Sequence, residues 1–219
     1  MQRKWLPENL KANCVLFLDG SVSGTTAYDL SWNWNNGTLV NSPTTQRTQG
    51  YKGFVFNGSN QYITAPAVTW TSAFSAVAIV KSTNTSNSRC MISASASSAP
   101  WPFYLTVNNW VPIFSVKNTS WSGWDATWPT ITTWKSLMMV GTWDWTTNTN
   151  WVKLYCNWVL TWQTTFSGTA KTPLLTYIGA GWYTNPVDYF AWSWTILMIF
   201  NKALNATEIQ QLHYSFFIP

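Results

Sequence analysis

Few side chains in this sequence could carry out acid–base chemistry. Only 9% of the 219 residues are charged, and two of them are glutamates, Glu8 and Glu208. Enzymes that cleave glycans need two carboxylates flanking the scissile bond. Glu8 lies in the N-terminal segment, and Glu208 falls in the first turn of a predicted helix, where it is explained as a capping residue. The sequence therefore predicts no catalytic pair, and we expect a protein that is not an enzyme.

The five aspartates stand singly, at positions 19, 29, 125, 144 and 188. Hydrogen bonding to the backbone of turns accounts for most aspartates in such settings. Asp125 and Asp188 are the least explained in this way, which makes them candidates for contacting a ligand or a Ca²⁺ ion. No other cofactor is expected.

The remaining residues able to do chemistry are one histidine and three cysteines. His213 falls at the end of the predicted helix, where we expect it to be solvated or to interact with the helix dipole. Cys14, Cys90 and Cys156 are widely spaced and form no C-x-x-C pair, so a zinc site is not indicated. We interpret them as buried thiols that pack as small apolar groups, with a single disulfide as the open alternative.

Aromatic rings beside amides and hydroxyls are the combination that a carbohydrate site uses, because rings stack and polar groups bond sugar hydroxyls. Residues 118–127, predicted to form a loop, offer both kinds of side chain. Trp124 and Tyr183 are the preferred stacking candidates and Trp101 is the third, with the two aspartates at 125 and 188 as polar contacts. The alternative is that these rings cover the ends of the fold or pack beneath loops. Trp143, in contrast, is predicted to lie in the core.

Short β-rich runs separated by polar turns must position these residues. Such spacing is typical of a β-sandwich or barrel. The predicted strands are residues 14–18, 53–56, 62–64, 76–81, 90–94, 103–107, 113–117, 137–143, 152–156, 159–164, 174–179 and 194–201. Asn157-Trp158 is predicted to form the two-residue turn of a hairpin. Asn205 and Glu208 have the spacing of a capping box, which predicts one helix near the C-terminus.

Four stretches in order resemble the motifs of a known family. They are residues 29–39, similar to D-x-S-G-N-x-N-G-T-L; residues 54–63, similar to F-x-F-(D/N)-G-S-x-x-Y-(V/I); residues 140–158, similar to G-T-(Y/W)-D-G followed by L-Y-x-(D/N)-G; and residues 178–209, similar to I-G-A followed by a last strand and R-A-L-S-x-x-E-I. The chain thus resembles a laminin-G-like domain of the concanavalin A-like lectin/glucanase superfamily. The resemblance implies an all-β, antiparallel jelly-roll β-sandwich with a short C-terminal helix. Residues 14–219 would form this single domain after an N-terminal segment, 1–13.

The chain contains 18 tryptophans, and several stand where glycine would be expected. Trp32, Trp145, Trp158 and Trp192 align with glycines of the family pattern, and five tryptophans follow Asn or Asp as turn glycines do. We hypothesise that the gene reads UGA as glycine and was translated as if UGA meant tryptophan. Positions of turn glycines, or of strained turns, are predicted at Trp32, Trp34, Trp110, Trp145, Trp151, Trp158 and Trp192, with Trp134, Trp162 and Trp182 as further candidates.

Charge and hydropathy limit the partners. The net charge is +5, but the basic residues are scattered, so no nucleic-acid surface is indicated. No apolar run of membrane-spanning length occurs, and the first ten residues contain no apolar stretch typical of a signal peptide. We expect the protein at an extracellular, cell-surface or virion location.

The favoured function is that of a non-catalytic recognition module that binds glycan. The alternative is a structural or adhesion domain of a phage virion or tail, or of a cell-surface protein, with protein partners. The fold by itself does not decide between them.

Overall fold

A computed structural model describes residues 6–48, 50–68, 73–82, 89–95, 102–109, 111–117, 123–127, 136–144, 150–166, 173–182 and 186–217. The helices in this part of the chain are α1 (Glu8–Lys11) and α2 (Ala206–Phe217). The strands in chain order are β1 (Cys14–Leu18), β2 (Val22–Ser23), β3 (Thr26–Ala27), β4 (Gly37–Val40), β5 (Thr44–Thr48), β6 (Tyr51–Asn57), β7 (Tyr62–Pro66), β8 (Ala73–Ser82), β9 (Arg89–Ser95), β10 (Phe103–Asn108), β11 (Val111–Lys117), β12 (Gly123–Thr127), β13 (Leu137–Asp144), β14 (Asn150–Cys156), β15 (Val159–Phe166), β16 (Leu175–Ile178), β17 (Gly181–Trp182), β18 (Pro186–Val187) and β19 (Ala191–Phe200).

Two antiparallel sheets form the sandwich. The eight-stranded sheet has the order β15-β14-β13-β8-β19-β6-β5. The eighth strand, β1, pairs with the same edge of β19 as β6 does, but with a later part of that strand. The nine-stranded sheet has the order β12-β11-β10-β9-β16-β7-β4-β3-β2, and β17 and β18 form a separate small ribbon. The predicted all-β jelly-roll sandwich with a C-terminal helix is confirmed.

All twelve predicted strands are present within three residues of the expected bounds. The sequence did not indicate α1 or the short or polar strands β2 to β5, β17 and β18. The loop predicted at 118–127 was wrong for residues 123–127, which pair with β11 as β12. These strands are too short or too polar to show the apolar alternation that identifies a half-buried strand.

The main core lies between the two sheets. Its centre is an aromatic group in which Phe74 lies 4.9 Å from Phe103, 5.9 Å from Phe114 and 5.7 Å from Trp143, measured between ring centroids. Trp143 is 2% exposed, which confirms its predicted place in the core. Burying each such ring stabilises the fold by about 2–3 kcal/mol.

A second apolar cluster covers the outer face of the eight-stranded sheet. Helix α2 contributes Ile209, Leu212 and Phe216, and the N-terminal segment contributes Leu6 and Leu10. Strands β8 and β13 are consequently buried on both faces, which explains their nearly continuous apolar sequences. No helix among the described residues is long and apolar enough to span a membrane.

The predicted capping box begins α2. The Asn205 side chain accepts a hydrogen bond from the Glu208 N–H at 3.0 Å, and the Glu208 carboxylate accepts one from the Asn205 N–H at 3.0 Å. The second carboxylate oxygen of Glu208 lies 2.6 Å from Lys202 Nζ. Both carboxylate oxygens of Glu208 thus have partners at the start of α2, which is the capping role that the sequence indicates.

The three cysteines are free and buried, as interpreted from the sequence. Burial in apolar surroundings raises the pKa of all three thiols, that of Cys156 to about 12. Thiolate chemistry is thereby suppressed in the folded protein.

His213 is the clearest departure from the sequence interpretation. It was expected to be solvated or to interact with the helix dipole, but it is only 7% exposed and lies in an aromatic contact. Its ring lies 4.2 Å from Trp158, in the β14–β15 turn, and stacks on Phe217 at 4.5 Å with an interplanar angle of 15°. The turn packs against the helix end, a contact that helical periodicity alone does not reveal.

We expect acidification to destabilise the protein through His213. Burial lowers the pKa of His213 from 6.5 to about 4. The unfolded chain therefore takes up this proton first, so the stability contributed by neutral His213 is present above pH 6.5 and is lost as the pH falls towards 4. Thermal melts between these pH values should show a smaller pH dependence for His213→Phe than for the parent. Equal slopes would contradict this assignment.

Asp29 organises the loop after β3. Its Oδ1 accepts hydrogen bonds from the backbone N–H groups of Phe17 and Ser31, each at 2.9 Å. Its Oδ2 accepts the Ser31 hydroxyl at 2.8 Å and the Asn35 N–H at 3.0 Å. This carboxylate has the turn-bonding role that the sequence predicts for most of the aspartates.

The same loop closes the outer edge of β1. Three further bonds join the Leu30 N–H to the Phe17 carbonyl, the Asn33 amide to the Cys14 carbonyl and the Asn35 amide to the Val15 carbonyl, at 2.8, 2.9 and 2.7 Å. Loop groups thus satisfy β1 backbone groups that another strand would otherwise pair with.

Three tryptophans in the described residues have left-handed backbone conformations. Trp32 and Trp34, in the Asp29 loop, have φ of 69° and 60° and are 75% and 81% exposed. Trp158 has φ of 64° beside Asn157 with φ of 46°, as the predicted hairpin turn requires. A Cβ is unfavourable in this region, so glycine would be the less strained residue at all three positions.

The turn interpretation does not extend to every tryptophan selected from the sequence. Strands β14, β15, β17 and β19 contain Trp151, Trp162, Trp182 and Trp192, so the prediction of these four as turn positions was wrong. Trp110, Trp134 and Trp145 lie outside the described residues. An Asn-Trp pair can also stand at the start of a strand, as Asn150 and Trp151 do in β14. The pair alone therefore does not identify a turn.

Candidate binding face

A row of polar residues crosses the whole nine-stranded sheet. Each member is the direct antiparallel partner of the next, so all share one face of the sheet. The row reads Asp125, Ser115, Tyr104, Ser93, Tyr177, Thr64, Thr38, Thr26 and Ser23.

This row lies on the outer face of the sheet. The residues one position along the strands, Ile63, Ile92, Leu105 and Phe114, belong to the core between the sheets. Successive residues of a strand point to opposite faces. The polar row therefore looks away from the core, on the side of the sandwich opposite α2.

Three tyrosines meet near the middle of this face. The Tyr62 ring lies 6.0 Å from Tyr177 and 6.2 Å from Tyr189, with tilted geometry in both pairs. Tyr177 is 4% exposed, whereas Tyr62 and Tyr189 are partly exposed. Desolvation raises the pKa of Tyr62 and Tyr177, so both phenols are neutral hydrogen-bonding groups at physiological pH. We call these three residues the tyrosine cluster.

The chain after β16 packs over one part of the row. The Ser93 hydroxyl donates to the Ala180 carbonyl at 3.0 Å and is fully buried. Further along the row, Ser115 is also fully buried, and its hydroxyl finds no hydrogen-bond partner in the described structure. Beside it, the Lys117 ammonium lies 5.8 Å from the centroid of the Tyr104 ring. The exposed part of the face thus combines tyrosine rings, hydroxyls and one cation.

The site residues predicted from the sequence are only partly described. Trp124 and Asp125 belong to β12, where their backbones pair with Val116 and Ser115. Asp188 is exposed, has φ of 51°, and its carbonyl accepts the Cys90 N–H at 3.0 Å. Trp101 and Tyr183 lie outside the described residues.

The described candidates do not converge on one point. The pairing register places Asp125 level with Ser93, whereas Asp188 bonds to Cys90, three residues earlier on β9. Three strand spacings separate β12 from β9. At about 4.8 Å per spacing and about 3.3 Å per residue, Asp125 and Asp188 are roughly 17 Å apart. A single small sugar could not touch both.

The tyrosine cluster was missed by the sequence interpretation. Period-two alternation of polar and apolar residues at Tyr62, Ile63, Thr64 and Ala65 indicates an outward-facing Tyr62. The meeting of Tyr62 with Tyr189 depends on tertiary structure that no local pattern encodes.

Carboxylates in the described part of the chain do not form a metal-binding group. No three of the described His, Cys, Asp and Glu residues come together as ligands for a metal ion. Glu8 pairs with Lys11, Glu208 caps α2, and Asp19 accepts the Ser21 N–H at 3.0 Å. Each of these three side chains has a local structural partner.

The architecture is that of a concanavalin A-like jelly-roll sandwich, and solved structures share it at low sequence identity. The binding domain of Paraclostridial Mosquitocidal Protein 1 superposes with a TM-score of 0.73 at 15% identity, covering 95% of this chain and 53% of that one. A botulinum neurotoxin type C structure gives 0.73 at 13% identity, with coverage of 95% and 52%. The botulinum neurotoxin type G receptor-binding domain gives 0.67 at 15% identity, with coverage of 92% and 51%.

The chain spans about half the length of these toxin domains. At such identities the likeness shows a common fold. No protein-family model and no curated protein matches the sequence. Assignment to the concanavalin A-like lectin/glucanase superfamily, and to its laminin-G-like domains, stays a prediction.

Proposed function

We propose that this domain is a non-catalytic module that recognises carbohydrate on the outer face of the nine-stranded sheet. The observation that carries the proposal is the tyrosine cluster set within a row of hydroxyl-bearing residues. Partly exposed rings offer stacking surfaces, and neighbouring hydroxyls both donate and accept hydrogen bonds. A sugar requires this combination from its site.

Two of the structurally similar proteins support the ligand class. One botulinum neurotoxin type C structure concerns cell entry through two ganglioside molecules, and a type DC binding domain was solved in complex with SialylT. Both ligands are named for toxin domains about twice as long as this chain. They therefore indicate the class of ligand, and they do not indicate where on this domain it would bind.

The proposed binding face includes residues selected from the sequence. Asp125 lies at the β12 end of the polar row, and Asp188 immediately precedes Tyr189 of the tyrosine cluster. Trp101 and Tyr183, outside the described residues, stay predicted stacking residues. Trp124 also stays a prediction, but it pairs with the core residue Val116 and so is not a member of the polar row. Because Asp125 and Asp188 are separated by several strand spacings, an oligosaccharide fits the face better than a monosaccharide does.

A glycan array followed by titration calorimetry tests the proposal. Tyr62→Ala and Tyr189→Ala should each weaken binding of any array hit about tenfold, since each removes a stacking ring. Tyr214→Ala is the matched control: this tyrosine is 42% exposed but lies on α2, across the molecule. No binding to any glycan, or equal losses in all three variants, would refute the proposal.

A second candidate function is assembly through protein contacts, as a structural or adhesion domain. The apolar side chains exposed on β15 favour it: Val159, Leu160 and Trp162 are 49%, 43% and 51% exposed.

A further inference from the structure

Two turns meet beside Tyr62 of the tyrosine cluster. One, residues 41–43, connects β4 to β5, and the other, residues 58–61, connects β6 to β7. The residue before Asn41 is the direct antiparallel partner of Tyr62, and Asn60 precedes Tyr62 by two residues. At about 3.3 Å per residue and about 5 Å between paired residues, the Cα atoms of both asparagines lie within roughly 7 Å of that of Tyr62. The two turns therefore border the stacking surface.

One side chain, Gln61, joins the two turns. Its Nε2 donates to the backbone carbonyls of Asn41 and Ser42, each at 3.0 Å, and its Oε1 accepts the Asn57 N–H at 2.9 Å. The Asn41 side chain adds a bond from its Nδ2 to the Asn60 carbonyl at 2.8 Å. These bonds fix the turns relative to each other and to the tyrosine cluster.

The first turn has a left-handed backbone at two successive residues. Asn41 and Ser42 have φ of 56° and 53°. Residues other than glycine seldom adopt this region, and where they do, surrounding bonds hold them and the position is often functional. The side chains of Asn41, Ser42 and Asn60 are exposed, and we call these three residues the amide rim. The bonds of Gln61 thus hold the backbone of the amide rim in place before any ligand arrives.

Each member of the amide rim keeps polar groups that a ligand can use. Within the described structure, the side-chain oxygen of Asn41, the side-chain NH₂ of Asn60 and the Ser42 hydroxyl make no hydrogen bond. They offer donors and acceptors without charge, and no residue from 37 to 46 or from 53 to 64 is charged. Sugar hydroxyls both donate and accept, so they match this surface, whereas a carboxylate or sulfate would find no cation in these segments.

We propose that the amide rim is a second subsite of the carbohydrate site, which binds an uncharged sugar residue next to the one that stacks on the tyrosine cluster. The subsite rests on the proposed function, because it extends the same site. The ligand is then a neutral oligosaccharide of two or more sugar residues. Gln61 is a positioning residue, which holds the amide rim and does not contact the sugar.

A glycan array that carries neutral oligosaccharides together with sialylated and sulfated ones tests the ligand class. The hits should be neutral. By titration calorimetry, the affinity for the best neutral hit should change less than twofold between about 50 and about 500 mM NaCl, because no ion pair is screened. Binding confined to sialylated or sulfated glycans, or a steep loss of affinity with salt, would overturn the subsite and leave carbohydrate recognition itself in place.

Two substitutions test the subsite directly. Asn41→Gly removes one amide but keeps a residue that favours positive φ, and Asn60→Ala removes the other amide. Each should weaken binding of the best neutral oligosaccharide about tenfold, and neither should change binding of the constituent monosaccharide that Tyr62→Ala weakens. Asn201→Ala is the matched control and should change neither affinity. Asn201 is also exposed and also accepts one side-chain bond, from Asn13 at 3.2 Å, but it follows β19.

NMR of side-chain amides in the unmodified protein gives a readout that does not depend on variants folding. Adding the best neutral oligosaccharide should shift the amide resonances of Asn41 and Asn60 and leave that of Asn201 in place. If Tyr62→Ala weakens binding while the rim amides stay unshifted and neither rim variant has an effect, the subsite is refuted and the proposed function stands. Equal losses in Asn60→Ala and Asn201→Ala would also refute the subsite. If no glycan binds, both are overturned.

Discussion

Replacing Asp29 by alanine should lower the free energy of unfolding by about 3 kcal/mol. The substitution removes the acceptor of three backbone N–H groups, those of Phe17, Ser31 and Asn35. Hydrogen bonds to a charged acceptor contribute more than neutral ones, and N–H groups that stay buried without an acceptor are expensive. Chemical denaturation followed by fluorescence measures the loss.

The location of Asp29 makes the effect larger than that of an ordinary turn aspartate. Without the carboxylate the loop detaches from β1, and the Cys14 and Val15 carbonyls lose the asparagine amides that bond them. Asp19→Ala is the matched control, because among the described residues Asp19 accepts one hydrogen bond, from the Ser21 N–H in a comparable turn, and a loss of about 1 kcal/mol is expected there. Asp29→Asn, which retains one acceptor oxygen, should fall between the two. Equal losses for Asp19→Ala and Asp29→Ala would contradict this account.

Replacing both Trp32 and Trp34 by glycine should stabilise the protein by about 2 kcal/mol in total. Both residues have positive φ and are more than 70% exposed, so their indoles gain little contact energy to offset the backbone strain. Glycine removes the strain, and the gain is reduced by the greater freedom of glycine in the unfolded chain. The same denaturation experiment measures the change.

Trp162→Gly provides the control for this prediction. That tryptophan is also exposed, but it lies in a strand, where glycine destabilises by about 1 kcal/mol. Opposite signs at turn and strand positions are therefore expected. If glycine destabilised the protein at Trp32 and Trp34 as well, the left-handed conformations would not reflect a strained residue.

These substitutions bear on the hypothesis that UGA was read as tryptophan in this sequence. Trp158→Gly should leave the free energy of unfolding nearly unchanged. The substitution relieves the backbone strain at a φ of 64°, but it removes the ring that packs on His213. The codons decide the matter directly: UGA behind Trp32, Trp34 and Trp158 together with UGG behind Trp143 supports the hypothesis, and UGG throughout refutes it.

Local patterns predicted the elements well and the candidate binding face poorly. Alternation located β7 and β10, and the Asn205–Glu208 spacing located the start of α2, because these signals depend on neighbours in the chain. The polar row depends instead on the register of nine strands, and register is set by packing across the sandwich. Tyr62 and Tyr189 meet only after the strands assemble, and His213 is buried by a turn that precedes it by 55 residues.

The position of the last strand has a consequence for biosynthesis. Strand β19 lies inside the eight-stranded sheet, between β8 on one side and β6 and β1 on the other. The pairs of β19 with β8, β6 and β1 can therefore form only after residues 191–200 have left the ribosome, long after those three partner strands have emerged. Until β19 is made, β8 and β6 each lack the strand with which they pair on that edge. Slowing translation between β8 and β19 would thus lengthen the interval in which a chaperone has to shield them.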